Sequence, residues 1–392
     1  MFNKKTLFIA SAILICSAVL FLGLSNQKVD DGDTGRAKEE TVISRLAYLG
    51  YLDYAVDDRY TDRGGVTVYV RDKTWEGLNL FILRGTNKAV LMLNNGTVAY
   101  QWNTPENSSW GHIHLLPGQK IAAMSSKAES IAVFDKNSEK VYETYGPYHH
   151  DIYFTGDGFI TIRNHMVEKM RHTIVDNEFV FFNDIFIEQY NISIFDLLVD
   201  SGEFDAEDIF SADTADIRNR GESTVVDLMN DFLHTNSIDM YQQDSTLFNE
   251  GDILSCVRNL DLIFVFDPGT RRIKWMWGQG ILDRPHTPRI LENGNILVFD
   301  NGMHRNYSRV VEVDPVTDEI VWEYLSDPPE AFHTTTMGSA QRLPNGNTLI
   351  VESNRGRVFE VTKDKELVWE YITKKNAEGQ QRTIYRMEKV SI

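Results

Sequence analysis

LIFVFDP at 262–268, RVVEVDP at 309–315 and RVFEVTK at 357–363 are three versions of one strand. Each is followed by a second apolar run ending around a tryptophan: IKWMW at 273–277, IVWEY at 320–324 and LVWEY at 367–371. Trp275, Trp322 and Trp369 stand 47 residues apart. A period of roughly 40 to 50 residues with four short strands per unit marks a β-propeller blade, a small sheet that cannot bury both faces until neighbours stack on it.

Working outward, three earlier units continue the pattern. GVTVYVRD (65–72), LNLFIL (78–83), AVLMLN (89–94) and VAYQW (98–102) make a first blade ending on Trp102. A second starts near His112 and His114, and a third at His149-His150 with DIYFTGDGFITIRN (151–164). The expected fold is therefore all-β: a six-bladed β-propeller over residues 64–392. GVTVYVRD is also the expected closing strand beside the last blade, and TIYRMEKV (383–390) is expected to add one more strand. Between blades three and four, residues 196–231 lose the strand pattern and become acidic and helical in composition, an insertion that forms either a lid or a solvated connection.

The chain opens differently. Lys4 and Lys5 precede an uncharged run from Leu7 to Leu24, and Asp30, Asp31 and Asp33 follow. That order is expected of a membrane anchor or a signal peptide over residues 1–25, with the remainder across the cytoplasmic membrane. The propeller is thus expected outside the cytoplasm, held to the membrane through residues 7–24, or secreted or periplasmic after cleavage. Residues 26–38 are polar and form a linker, and 39–63 a short helical lead-in in which Val42, Ile43, Leu46 and Leu49 recur at helical spacing.

With 392 residues and 42% hydrophobic content the chain can bury a large core, while a net charge of −18 argues against nucleic acid as a partner. Any anionic ligand needs basic side chains gathered locally. Of two cysteines, Cys16 and Cys256, only the second lies in the propeller, so no internal disulfide is expected there.

His114, His150, His234 and His286 each fall at the start of a blade, and the innermost strand of a blade lines the central channel. Histidines far apart in sequence are therefore candidates to meet at one mouth. Asn236, Asn301, Arg309 and His333 add amides, a guanidinium and a further imidazole, a set suited to an oxyanion such as sulfate or phosphate. Each has a plainer role: a single blade histidine bonding across its sheet, Arg309 pairing with a neighbouring acid, Asp300-Asn301-Gly302 forming a hairpin. His112-x-His114 and His149-His150 lack the third and fourth ligands of a zinc site, and no phosphate loop or dinucleotide fingerprint occurs. No metal or cofactor is expected.

The opening GVTVYVRDKTWEGLNLFILRGTNKAVLMLNNGTVAYQW, LHTNSID at 233–239, HTPRILENGNILVFDNG at 286–302 with YSRVVEVDP, and GSAQRLPNGNTLI before RVFEVTKDKELVWEY together resemble the bacterial arylsulfate sulfotransferase family. The resemblance spans roughly residues 64–372. It implies an exported six-bladed propeller that moves a sulfuryl group from a phenolic sulfate ester to a second phenol, through a sulfated histidine and without a nucleotide sulfate donor. It further implies that His234, His286 and Arg309 hold the anion and that His333, by its order along the chain, is the nucleophile, with His286 or His150 as alternatives. Asn236, Asn301, His114 and His150 would bind substrate. The competing expectation is a propeller that keeps this scaffold as a binding or assembly module without turnover.

Overall fold

The computed structural model describes residues 64–391 together with 54–55, apart from 84–85, 87, 104–109, 126–128, 170–171, 208, 210–231 and 376–378. These residues form six antiparallel sheets arranged as the blades of a propeller. Blade 2 runs from Trp110–Leu116 to Lys140–Tyr145, blade 3 from Tyr148–Thr155 to Glu188–Ser193, blade 4 from Thr235–Met240 to Arg272–Trp277 and blade 5 from His286–Ile290 to Glu319–Tyr324. Each is a four-stranded meander whose first strand meets the first strands of its neighbours around the channel.

The ring is closed by both ends of the domain. Ile384–Val390 is the innermost strand of blade 1, pairing with Leu78–Leu83. Gly65–Tyr69 adds a fifth, outermost strand to blade 6, against Leu367–Ile372. The expectation that GVTVYVRD opens blade 1 is therefore corrected: it serves only as the closing strand, and TIYRMEKV takes the inner place. Burial explains the exchange. Gly65–Tyr69 is only half buried along its length, as an outer edge tolerates, whereas Ile384, Arg386, Met387 and Lys389 are buried.

The recurring tryptophans tie each blade to the next. Trp275, Trp322 and Trp369 donate their indole N–H to Asp318 Oδ1 (2.8 Å), Lys363 O (2.9 Å) and Asn94 O (2.7 Å), each in a turn of the following blade. Apolar side chains from facing sheets fill the spaces between, as where Leu254, Cys256 and Val265 of blade 4 meet Ile296, Val298 and Val311 of blade 5.

Blade 3 departs from the pattern. Its second and third strands, Gly158–Lys169 and His172–Asn183, stay paired over 12 residues each, longer than in any other described blade. A helix, Ile194–Asp200, follows the blade and buries Ile194, Phe195, Leu197 and Leu198 beside Ile174 and Phe179. Ser193 caps it, its hydroxyl accepting from Asp196 N. The insertion expected over 196–231 begins inside this helix, and most of it lies outside the described residues.

The run 7–24, the linker and most of the lead-in also lie outside the described residues. Within the stretch expected to be helical, Tyr54–Ala55 instead pairs with Gln381–Arg382 as strand, since the C-terminal chain offers it an open edge. No helix among the described residues is long and apolar enough to cross a membrane.

Candidate functional site

The inner strands of blades 1 to 5 share a local defect. Each slips register near its start: between Ile384 and Met387, Trp110 and His112, His149 and Ile152, Thr235 and Ile238, and His286 and Arg289. A bulge re-aims the side chains beside it, here into the channel. His150 (φ 64°), His234 (φ 52°) and Thr287 (φ 45°) take left-handed backbone conformations at or next to these slips, a cost that surrounding structure must offset.

At the waist of the channel the bulges deliver opposite charges. Arg386 of blade 1 donates to both carboxylate oxygens of Asp151 of blade 3, at 2.9 and 3.3 Å. Arg289 of blade 5 lies 3.6 Å from Asp151 Oδ2, and His112 Nε2 of blade 2 lies 3.3 Å from Oδ1. Ile238 N of blade 4 completes the carboxylate's shell at 3.0 Å. Burial pushes the Asp151 carboxyl up, but Arg386, Arg289 and His112 more than offset it and hold it well below its usual range. Five blades therefore meet in one compensated cluster.

At the mouth the bulges gather imidazoles beside Arg258. His149 and His150 place their Nδ1 atoms 2.5 Å apart, and the His150 ring meets that of His234 edge-on at 4.8 Å between centroids. Burial first, then His149, His234, His286 and Arg258, all drive His150 towards its neutral form. His286 is pushed down to about 3, by burial and then by Arg258, against the weaker upward pull of its hydrogen bond to Asn301. Arg258 and Arg284, both buried, also converge on Asn259 Oδ1, at 2.7 and 3.0 Å.

The orientation of His286 is fixed. Asn301 Nδ2 donates to Thr334 O and Met337 O, both at 2.8 Å, which turns Asn301 Oδ1 towards His286 Nδ1 at 2.7 Å. Arg284 O accepts from the same ring nitrogen at 3.1 Å. With two acceptors on Nδ1 the proton resides there, so Nε2 carries the lone pair. Asn236 supports this from below, donating to Pro285 O at 2.9 Å and accepting from Thr287 N at 3.4 Å. Asn236 and Asn301 thus frame His286.

The other expected residues are placed apart. Arg309 starts the third strand of blade 5 and pairs with Asp300 (2.8 Å) and Glu323 (3.0 Å). Arg357 starts the third strand of blade 6 and binds Glu352 and Glu370 at the matching register positions. The Arg309 pairs are hence a repeated feature of the blades. His114 lies two residues beyond His112 along its strand and stacks on Phe154 at 5.2 Å, past the waist. His333 sits in the connection to blade 6, with its N–H on Glu352 Oε1 at 3.0 Å. Its neighbour Thr334 accepts from Asn301, so this segment adjoins the residues that hold His286. Among the described residues no group of three or more His, Cys, Asp or Glu is arranged to hold a metal ion.

Arg258 and Arg284 were missed in the sequence. Arg258 opens a short 3₁₀ turn, Arg258–Leu260, after the second strand of blade 4. Blade 6 has Ser353–Arg355 there, and blade 5 has Asn301. Aligning the ends of these second strands shows three polar residues where blade interiors are apolar, and one of them is the arginine that faces the histidines.

The site is thus a group of neutral imidazoles gathered beside Arg258 at the starts of the inner strands of a propeller. Comparison with known proteins makes this specific: the family profile described as Arylsulfotransferase (ASST) matches residues 89–374. The chain belongs to the arylsulfotransferase family. None of the curated proteins matches it. Among solved structures, a protein of unknown function from Bacteroides caccae superposes with a TM-score of 0.53 at 10% identity, over 81% of this chain and 99% of that one. Virginiamycin B lyase from Staphylococcus aureus gives 0.46 at 9%, over 86% and 97%. At such identities the likeness is one of fold alone.

Proposed function

We propose that this protein transfers a sulfuryl group from an aryl sulfate to a phenol through a sulfated histidine, and that His286 is that histidine. The observation that carries the reading is the His286 ring, locked with its proton on Nδ1 and its lone pair on Nε2 beside Arg258. A neutral imidazole is the nucleophilic form, and the depressed titration of His286 keeps it so at neutral pH.

The chemistry follows from the arrangement. Nε2 attacks sulfur as the bond to the aryl oxygen breaks, and charge shifts onto the leaving and sulfuryl oxygens. Arg258 faces that charge, in a partly buried mouth where a fixed cation is worth more than in water. Nδ1 keeps its proton on Asn301 while Nε2 carries the group. A second phenol then attacks sulfur, the S–N bond breaks and the electron pair returns to Nε2. No nucleotide and no metal takes part in these steps.

The test is incubation with 4-nitrophenyl sulfate and phenol. Wild type is expected to release nitrophenolate in proportion to added phenol. His286→Ala is expected to reduce this more than ~10³-fold, as removal of a covalent nucleophile does. Loss in His333→Ala with activity retained in His286→Ala would move the nucleophile to His333. Absence of phenol-dependent release in wild type would overturn the transferase reading.

We also propose that residues 7–24 place the propeller outside the cytoplasm, on the strength of Lys4 and Lys5 before the apolar run and three aspartates after it. Protease added to spheroplasts should then digest the chain. Protection until lysis would contradict this.

A further inference from the structure

Ser308 stands one residue before Arg309 in the YSRVVEVDP run, and none of the steps of transfer uses it. It is fully buried, and its hydroxyl spans two segments of chain. It donates to Asn301 O at 2.7 Å, lies 3.3 Å from Thr334 O and accepts from Thr334 N at 2.9 Å. The Ser308 backbone N–H adds a bond to Phe332 O at 2.9 Å. One residue thereby fixes Asn301, just past the second strand of blade 5, against the connection that leads into blade 6. The hydroxyl is not a general feature of blades. In blade 6, whose inner strand Ser339–Arg342 has no histidine, the matching register position holds Gly356.

The distance between those two segments bears on which way the Asn301 amide faces. Its Nδ2 donates to Thr334 O and Met337 O, at 2.8 Å each, and these acceptors turn Oδ1 to His286 Nδ1. Turned over, the amide would offer Nδ2 to the ring, and Nδ1 would have to accept. The ring proton would then sit on Nε2, the atom that needs its lone pair. Arg284 O, the other acceptor at Nδ1, opposes that change but leaves Nδ1 with one partner instead of two. The rest of the connection is anchored to blade 6, where Asn354 bonds Thr334 Oγ1 and Ser353 Oγ accepts from Gly338 N at 2.9 Å. Ser308 is the side chain that binds the backbone of both Asn301 and Thr334.

We propose that Ser308 is a positioning residue of the transfer: through Thr334 and Asn301, its hydroxyl keeps the His286 proton on Nδ1 and the lone pair on Nε2. The proposal rests on the transferase reading. Ser308 touches no reacting atom and exchanges no proton with the substrate. Its part is to hold three groups in register, so that the nucleophile is presented in one tautomer. Without the hydroxyl, Thr334 N loses its acceptor and Asn301 O its donor, and the two segments are free to separate. A fraction of the molecules then carries the ring proton on Nε2 and cannot attack sulfur.

The experiment compares wild type, Ser308→Ala, Ser308→Thr and, as control, Thr74→Val. Thr74 also has a buried hydroxyl on two carbonyls, Val70 O at 2.9 Å and Val368 O at 3.0 Å, but beside the outer strands of blade 6. Nitrophenolate release from 4-nitrophenyl sulfate is measured at saturating phenol, with thermal unfolding of each protein. The ¹⁵N imidazole signals are recorded in parallel, that of His286 being identified by its absence from His286→Ala. Ser308→Ala is expected to be ~10-fold slower, within what a small misplacement of a reacting group costs, and to show a second His286 signal protonated at Nε2. Ser308→Thr, which keeps the hydroxyl, should retain the rate and the single tautomer, and Thr74→Val should lose stability alone. The proposal is overturned by a folded Ser308→Ala that keeps the wild-type rate, or that slows with His286 still protonated only at Nδ1. It is equally overturned by a folded Ser308→Thr, or a Thr74→Val, as slow as Ser308→Ala. Each of these leaves the transferase reading intact, whereas an inactive wild type overturns both.

Discussion

The waist and the mouth of the channel are built from the same bulged strands, a few residues apart, and their electrostatics are opposite in kind. At the waist, Asp151 meets Arg386, Arg289 and His112, so that each buried charge has a counter-charge within reach. At the mouth, His149, His150, His234, His286 and Arg258 act on one another with one sign. Matched charge in a buried site holds strands together. At the mouth the imidazoles are instead held neutral beside a guanidinium, the form in which a ring nitrogen keeps its lone pair. One bulge geometry thus gathers paired charges at one depth and neutral imidazoles at the next.

The comparison breaks first at the waist if it is wrong. Asp151→Asn and Arg386→Met each leave a buried charge uncompensated and are expected to lower stability by about 3–5 kcal/mol. The double variant should lose clearly less than the sum, because the second change removes the charge stranded by the first. Urea unfolding of the four proteins measures this, and simple additivity would show that the two side chains are not a coupled unit.

The mouth is tested by Arg258→Met. Transfer should fall by about 10²- to 10³-fold, the scale seen when a donor to developing oxyanion charge is lost. Stability should fall modestly, since the change removes the bond from Arg258 to Asn259 Oδ1. Arg309→Met is the control, expected to lower stability through Asp300 and Glu323 and to leave the rate per folded molecule nearly unchanged. The reverse pattern would return the anion to Arg309. In ¹⁵N spectra at pH 5.5, His286 should appear neutral with its proton on Nδ1, as its titration near 3 requires.

Much of this architecture was legible in the repeat of strand and tryptophan, because blades are local and their contacts recur with the period. Closure was less legible. Whether GVTVYVRD belongs to blade 1 or blade 6 depends on which edge is open when the C-terminal strand arrives, and only Ile384–Val390 in place decides that. At the site, histidines at blade starts pointed to the mouth because inner strands all begin there. His114 did not follow, since its strand places His112 at the waist and His114 beyond it. Arg309 has its two acidic partners on adjacent strands, and the parallel with Arg357 shows that pairing to be a blade motif. Arg258 sits in a run, SCVRNLDLIF, where a charged residue reads as an ordinary turn between strands.

Another buried carboxylate, bonded to neutral donors among the described residues, sharpens the contrast. Asp176, on the long hairpin of blade 3, accepts from Ser193 Oγ at 2.5 Å and from Phe195 N at 3.2 Å, at the start of helix Ile194–Asp200. Burial raises its carboxyl to about 6, against the opposing pull of these two hydrogen bonds. The sign of its linkage is therefore opposite to that of Asp151. For Asp151 the folded state prefers the anion, so its contribution is present above the ordinary carboxylate range near ~3.9 and disappears as pH falls below it. For Asp176 the folded state prefers the acid, so stability is fully present below ~3.9 and is lost as pH rises through about 6. The loss amounts to something on the order of 2–3 kcal/mol. Asp176→Asn keeps an acceptor for Phe195 N–H and a donor for the Ser193 hydroxyl oxygen without the charge. Its stability curve should be flatter than that of wild type between pH 4 and 7, with the variant the more stable protein at the alkaline end. Parallel curves would show that Asp176 ionises as freely in the folded chain as in water, and that a buried charge at this edge of the propeller needs no partner at all.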